Sequence, residues 1–509
     1  MITVARRKRI VLYYPQQSAH GGAPPYCRYT QELPLALLAI AAWPVRDGYD
    51  VVLIDGSRTP VEEAHRRVLD ACDGALLYAT TGILGHQVSD GLHCTRKVKA
   101  RHPGLPAFIG GWFASSAPGL QLDTGLYDAV ALGQGELTFR EIVSAVEAGQ
   151  PLDEVAGLAL QRDGEVVFTA RREVAGWDKL LNAPWQLLDP ELYRAPQLRE
   201  PDRGTVGGPF GPGRPHFEIS YFASYGCPYR CTFCCSPEVT GLAWKAMPAA
   251  RMLDDLQELQ QRWGFDGVSF VDANYGVAEP RAREVAEGML ARDLRCSYFI
   301  FLQAASVARF QPSTLDAMAA SGFYGCVVGA EAGSEETMRR IRKPTHGDQN
   351  LRAAVELDRR GVSPLMTYII GYPGEGEASM RATLEEARQV ALRCPRARPE
   401  VWPFRPIPGT EDYELALRDG FVPPRTLEEW GSAEDYWTDE AWPGRIADDV
   451  KRARRMFMFY SSLAQGRVRS TQGFWERRAR RRLARNDFRF GLLEARVFHG
   501  LQRVAGLLS

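Results

Sequence analysis

Two tandem series of alternating strand-like and helix-like segments predict an α/β protein with two parallel sheets and a mainly helical end. Five short apolar runs alternate with amphipathic stretches over residues 1–150, six more do so over 216–412, and the alternation then stops. Runs that are hydrophobic throughout and β-branched suit parallel strands covered on both faces. The division is an N-terminal doubly wound domain (1–150), a connector with a hairpin (151–215), a partial (β/α)6 barrel (216–412) and a C-terminal helical region (413–509).

In the first domain the strand-like runs are IVLYYP (10–15), VVLIDG (51–56), GALLYAT (74–80), AFIGGW (107–112) and AVALGQGE (129–136), with helix-like stretches at 34–48, 61–71, 86–101 and 137–148. Ligands of such a domain sit beyond the carboxyl ends of the strands, where Thr80, Thr81, Gly110, Gly111, Gly133 and Gly135 fall. In the connector, GLALQRDGEVVFT (157–169) reads as a hairpin turning at Asp163–Gly164, and the Gly/Pro-rich stretch 203–215 as a boundary loop. The barrel strands are placed at 217–226, 267–276, 296–306, 324–333, 364–374 and 400–409, with helices at 248–263, 280–292, 313–321, 350–361 and 378–392. Barrels of this kind carry their chemistry on the loops after the strands. The last segment holds TLEEWGSAEDYW (426–437) and a basic helical stretch with eight arginines in 467–485.

The 509 residues include 62 basic and 62 acidic side chains, so no net charge points to nucleic acid or an acidic surface. Hydrophobic residues at 45% and charged residues at 24% exclude a largely disordered chain. The longest apolar stretch, Leu33 to Val45, contains prolines and falls short of the ~20 residues of a membrane span. No signal-peptide pattern is visible, so the protein is read as cytoplasmic, where thiols stay reduced.

Four of ten cysteines fall between 227 and 235. Gly226-Cys227-Pro228-Tyr229-Arg230-Cys231-Thr232-Phe233-Cys234-Cys235 supplies three thiolates at C-x3-C-x2-C spacing from one short loop. Three thiolates can each hold one iron of a [4Fe–4S] cube and leave the fourth iron open. A structural zinc site would want a fourth ligand and paired C-x2-C motifs, whereas the other cysteines (27, 72, 94, 296, 326 and 394) are scattered. Cys235 lies outside the spacing and is read as a packing residue. This loop, with the aromatic Phe233 before its third cysteine, resembles the signature of the radical S-adenosylmethionine (radical SAM) superfamily. The resemblance implies a [4Fe–4S] cluster on Cys227, Cys231 and Cys234, with SAM chelating the open iron. It also implies an external one-electron reductant and cleavage of SAM to a 5′-deoxyadenosyl radical.

Downstream segments resemble the family in order. FVDANYGV (270–277) is similar to its second strand, with Asp272 and Asn274 as SAM candidates, and VVGAEAGSEETMRRIRKP (327–344) to its fourth, with Glu331 and Ser334. YIIGYPGEGEASMRATLEEA (368–387) is similar to its fifth, with Gly371 and Gly374 beside the adenine, and FRPIPGTEDY (404–413) to its sixth. In the first domain, LPLALLAIAAWPVRDGYDVVLIDG (33–56), IGGWFASSAPG (109–119) and ALGQGELTF (131–139) resemble the Rossmann-like cobalamin-binding domain of the B12-dependent radical SAM class. That implies a corrin site at Thr80, Thr81, Gly110, Gly111, Gly133, Gly135 and Glu136, with glycines at the ends of the fourth and fifth strands because a Cβ there would collide with so broad a ligand. Two departures stand out: Asp55-Gly56-Ser57-Arg58 lacks the Asp-x-His-x-x-Gly motif, and Phe113 stands where relatives often carry His. The expectation is cobalamin without a protein histidine on cobalt, with His86 a helix-start or loop residue.

The function so implied is methylation of an unactivated carbon of a small-molecule, lipid or tetrapyrrole substrate, with no nucleic-acid partner. The alternatives are a non-methylating oxidoreductase or cyclase of the same class, and a tRNA methylthiotransferase. The last would want a second three-cysteine cluster and a basic RNA-binding tail domain. The arginine-rich end (467–490) is read as a solvated helical cap, or as a peripheral membrane contact through Phe474, Trp475 and Phe488. Aromatic residues on the barrel strands (Tyr298, Phe299, Phe301, Tyr324, Tyr368, Trp402, Phe404) suit an apolar substrate.

Overall fold

The structure is a computed structural model that describes residues 8–16, 33–199, 217–432, 445–465, 473–489 and 491–507. Cys27, the stretch 203–215, residues 433–437, Arg467 and Arg469 lie outside the described residues.

In the first sheet, β1 (Arg9–Tyr14) lies between β2 (Asp50–Asp55) and β3 (Ala75–Thr81), with β4 (Ala107–Gly110) and β5 (Ala129–Ala131) beyond β3, all parallel. Ile10, Val11, Leu12 and Tyr13 are fully buried, as a strand covered on both faces requires. The order 2-1-3-4-5 is a doubly wound arrangement. The hairpin forms where the sequence places it: β6 (Leu158–Arg162) and β7 (Glu165–Phe168) meet at Asp163 and Gly164, with φ of 50° and 85°. Positive φ at both positions matches a two-residue turn to the twist of the flanking strands. Because Leu158, Ala159 and Leu160 need covering, β6 pairs antiparallel with β5 and the hairpin extends the first sheet to seven strands.

The second sheet begins with β8 (Glu218–Tyr221). The run 217–226, read as one strand, breaks at Phe222–Ala223 into β8 and β9 (Ser224–Gly226), and β9 pairs antiparallel with β10 (Trp244–Ala246). Asp272 causes the break: its Oδ1 accepts from the Ala223 and Ser224 nitrogens at 2.7 and 3.1 Å, drawing those donors out of the ladder. Gly226 (φ 75°) lets β10 close in, since a Cβ there would run into the Ala243 carbonyl. Beyond follow β11 (Gly267–Phe270), β12 (Ser297–Gln303), β13 (Phe323–Glu331), β14 (Ser363–Ile370) and β15 (Arg398–Pro403). These five and β8 form a parallel sheet in the order β15-β14-β13-β12-β11-β8, a partial barrel open between its first and last strands. Not all strand aromatics face its interior. Phe299, Phe301 and Tyr324 cluster with Val327 and Leu365, whereas Tyr298 and Tyr368 pack in the core shared with the outer helices. There the Tyr298 hydroxyl donates to the Met318 carbonyl.

The C-terminal region divides between the two halves. The helix Leu427–Ser432 packs on the helix His86–Arg101 of the first domain, with Gly431 at the crossing and Trp430 against Phe113 (ring centroids 5.9 Å apart). The helix Asp448–Ala464 packs on barrel helix Glu377–Arg393 and carries the helices Phe474–Arg485 and Gly491–Leu507. The arginine-rich helix buries Ala479 and Leu483 and directs Arg478 and Arg482 to the buried Glu494 carboxylate. Of the three residues considered as lipid anchors only Phe474 is exposed; Trp475 packs against Phe498 and Phe488 stacks on Tyr460, so two of the three serve the cap itself. Among the described residues no helix is long and apolar enough to cross a membrane.

Candidate functional site

A cavity of about 490 Å³ opens between the carboxyl ends of β3, β4 and β5 and the start of the barrel. Thr80, Thr81, Gly110, Gly111, Gly133, Gly135 and Glu136 all line it, and the barrel side supplies Tyr225 and Gly226, directly before Cys227. Two of the glycines are required by the chain itself, whatever the cavity holds. A Cβ on Gly111 (φ 99°) would lie 2.7 Å from the Thr81 hydroxyl, and one on Gly133 (φ 69°) 3.0 Å from the Val239 carbonyl. At Gly110 it would make only ordinary contact with Ala131, at 3.5 Å or more. The chain itself, not a ligand, occupies the space beside Gly111 and Gly133. Across the cavity wall the Tyr225 hydroxyl donates to Glu136, joining the two domains. Burial pushes the Glu136 carboxyl up, and the Tyr225 hydrogen bond partly offsets it.

Three other positions singled out in the first domain make structural contacts. Asp55 accepts from the Ser57 nitrogen and from the Tyr193 hydroxyl at 2.7 Å, tying the connector to the first sheet. Phe113 points away from the cavity into the contact with Trp430. His86 opens its helix and lines a different, polar cavity of about 410 Å³, beside His65, Asp90 and His93. Among the described residues no histidine lines the 490 Å³ cavity.

The cysteine loop is held from both sides by backbone. The Thr232 nitrogen donates to the Ile341 carbonyl (3.1 Å), the Asp412 nitrogen donates to the Thr232 carbonyl (3.0 Å), and Phe233 packs on Tyr372. Cys227 and Cys231 are buried, Cys234 and Cys235 half-buried, and all four are free thiols. Burial raises every one of them, Cys231 to about 12, and Lys343 opposes that rise at Cys227, Cys231 and Cys234. Buried thiols that resist ionisation become ligands when a cation displaces the proton. Among the described residues no three acidic, histidine or cysteine side chains converge on one ion. Three thiols from one short loop fit a [4Fe–4S] cluster that takes one iron per cysteine. Cys235 falls on the N-terminal side of the short helix Ser236–Thr240, where its carbonyl accepts from Val239.

The residues considered for SAM gather at the same end of the barrel, with unequal freedom. Asp272 spends one oxygen on Ala223 and Ser224, and its buried Oδ2 has no hydrogen-bond partner. Asn274 accepts from the Gly276 nitrogen; its buried Nδ2 has no partner at hydrogen-bond distance, yet lies close enough to Cys227 to favour the thiolate. Glu331 (φ 62°) is buried and accepts from Lys343 Nζ at 2.7 Å. Ser334 caps the helix Glu335–Arg340 through the Thr337 nitrogen and donates to Ser379. Gly371 is approached by Ile446, at 2.8 Å from a Cβ position, while nothing lies within 4 Å of one on Gly374. Sequence reasoning did not single out Lys343 or Tyr225. The Lys-Pro pair closing the helix was the available signal for the first; nothing local announces the second.

Residues 221–387 match the radical SAM superfamily. The barrel is a radical SAM domain. Along the wider chain, relatives include an uncharacterized methyltransferase of Pyrococcus horikoshii, 25% identical over 394 residues, covering 76% of this chain and 79% of that protein. The cytidylyl-2-hydroxyethylphosphonate methyltransferase of Streptomyces wedmorensis is 24% identical, covering 82% of this chain and 83% of its own. An anaerobic magnesium-protoporphyrin IX monomethyl ester cyclase of Synechocystis is 23% identical, covering 72% and 69%. The fold of the radical SAM domain together with its N-terminal partner is shared with the radical SAM methyltransferase TsrM of Kitasatospora setae, solved with cobalamin and a [4Fe–4S] cluster bound. The TM-score is 0.65 at 15% identity, over 94% of this chain and 100% of TsrM.

Proposed function

We propose that this protein is a cobalamin-dependent radical SAM methyltransferase acting in the cytoplasm on an unactivated carbon of a small-molecule substrate. The observation that carries the reading is the shared cavity: the strand ends of the first sheet and Gly226, next to Cys227, line one space of about 490 Å³. The methyltransferase relatives and the TsrM-like fold support it. When bound, a [4Fe–4S] cluster with SAM would supply the radical and a corrin would supply the methyl group.

Cys227, Cys231 and Cys234 would hold the cluster, and the backbone bonds on both sides of Thr232 fix the loop that carries them. Asp272 holds the turn into that loop, and Asn274 lies beside Cys227. The corrin would rest on Thr80, Thr81 and the backbone at Gly110, Gly111, Gly133 and Gly135, with the Glu136–Tyr225 bond fixing the distance between the two halves. The mainly apolar lining (Ile40, Phe108, Phe139, Phe222) excludes water from a radical reaction.

Turnover with methyl-labelled SAM tests the reading. Methyl transfer predicts label in the product, with 5′-deoxyadenosine and S-adenosylhomocysteine both formed. A dehydrogenated or cyclised product without label would instead assign the chemistry of the cyclase relative.

A further inference from the structure

We propose that Asn350 is a positioning residue for SAM: its buried side-chain amide holds the strained turn that presents the Glu331 carboxylate. The proposal rests on the reading that SAM binds at this end of the barrel, beside the cysteine loop.

β13 ends in a turn that proteins seldom use. The Ala332 nitrogen donates to the Ala330 carbonyl at 2.8 Å, closing a three-residue loop around Glu331, whose φ is 62°. A γ-turn with positive φ at its centre is rare and strained, and the left-handed region disfavours any residue that carries a Cβ. Such strain persists only where the surroundings over-determine it, and it clusters at ligand sites. Asn350, the second residue of the helix Gln349–Arg359, is 1% exposed and sends its Nδ2 to the Ala330 and Ala332 carbonyls, both at 3.1 Å. One side chain thus grips the carbonyls on either side of Glu331. The Glu386 carboxylate accepts from the same nitrogen at 2.8 Å and fixes the amide from behind. Past the turn the Gly333 nitrogen donates to the Thr383 hydroxyl at 3.0 Å, and a Cβ on Gly333 would lie 2.7 Å from the Ala382 carbonyl. The turn is clamped between the helices Gln349–Arg359 and Glu377–Arg393.

A turn needed for packing alone would carry glycine at its centre, so the glutamate calls for a use. A Cβ on Gly329 would lie 2.5 Å from Glu331 Oε1 and 2.9 Å from Lys343 Nζ, so the carboxylate folds back over the bare backbone of Gly329. Lys343 donates to Oε1 at 2.7 Å, and it follows directly on the turn whose Ile341 carbonyl accepts from Thr232 of the cysteine loop. Oε2 takes no hydrogen bond from any described residue. A buried carboxylate with one oxygen held and the other open accepts strongly from a charged or hydroxyl donor. SAM offers both, an ammonium group and ribose hydroxyls. Asn350 lies behind the strand and touches neither, so it acts through the conformation of Glu331.

The test is the affinity of iron-reconstituted, full-length protein for labelled SAM, measured by anaerobic equilibrium dialysis without turnover. Asn350→Leu keeps the volume and removes the donor, and should weaken SAM binding about tenfold at unchanged iron content. In a Glu331→Ala background the same substitution should weaken it no further, because two residues that act through one carboxylate are not additive. A purely structural loss would appear equally in both backgrounds. Asn350→Ser, too short to reach both carbonyls, should behave in the same way and serves where the leucine variant does not fold. Wild-type affinity in these variants, or a loss undiminished in the Glu331→Ala background, would overturn the proposal. An iron-replete wild type that binds no SAM would instead overturn the SAM reading beneath it.

Discussion

The first sheet and the radical SAM barrel turn the same kind of edge, the carboxyl ends of parallel strands, toward one cavity, and they furnish it differently. On the first-sheet side the lining is threonine, glycine and apolar side chains, and its ionisable group Glu136 is tied to Tyr225 across the domain boundary. The barrel side lines the cavity with Phe222, Ser224, Tyr225 and Gly226, and keeps its buried charge and thiols beyond that lining: Asp272, the Lys343–Glu331 pair, and Cys227, Cys231 and Cys234. A surface of backbone and small side chains holds a broad ligand by shape. Buried charges hold or tune a small charged one, because burial makes electrostatics strong. The difference says that the two halves should fail separately when altered.

The largest effect is expected at the thiols. Replacing Cys227, Cys231 or Cys234 with Ala should take reconstituted protein from about four irons per chain to almost none and abolish SAM cleavage. Cys235→Ala should keep both. Iron assay and visible absorption check this, and an iron-replete Cys234→Ala variant would break the assignment of the barrel side.

On the first-sheet side the comparison is between two glycines. Ala at Gly133 meets both a left-handed backbone and the Val239 carbonyl, whereas Ala at Gly110 meets only ordinary contacts. Gly133→Ala should therefore cost roughly 1–2 kcal/mol and lower corrin retention through gel filtration, with iron content unchanged. Gly110→Ala should leave stability unchanged and lower corrin retention alone, because the corrin would rest on its backbone. Equal loss of stability from both variants would overturn this contrast between the two glycines.

The smallest effect probes charge burial in the barrel's outer layer. Burial raises the Glu386 carboxyl to about 7, against a hydrogen bond from Asn350 at 2.8 Å and the nearby Tyr368 hydroxyl, which lower it. Its pKa is higher in the folded than in the unfolded state, so folding retains a proton. Stability is then full below the ordinary carboxylate range and falls as pH rises toward about 7. The slope contributed reaches at most about 1.4 kcal/mol per pH unit. Glu386→Gln should flatten it in denaturant titrations run between pH 5 and 8.

Much of this was legible in the chain because the periodic signals are strong. The buried β1 and five of the six barrel strands read directly as apolar runs, and Asp163–Gly164 announced its own turn. The cysteine spacing named the chemistry of its loop. Side-chain partners at long range left no such trace. Tyr225 reaches Glu136 over 89 positions, and Asp272 breaks the β8–β9 strand from 49 positions away.

The sequence by itself determined the two βα series, the thiol loop and the glycine-bearing strand ends, because hydrophobic period and short motif spacing are local properties of a chain. Only the tertiary structure decided that the hairpin belongs to the first sheet and that the helix Leu427–Ser432 closes on the first domain rather than the barrel. It also decided that Lys343 stands against the cysteine loop. Those outcomes depend on which apolar faces and buried polar groups find partners once the two halves meet, and such pairings are made between residues far apart in the chain.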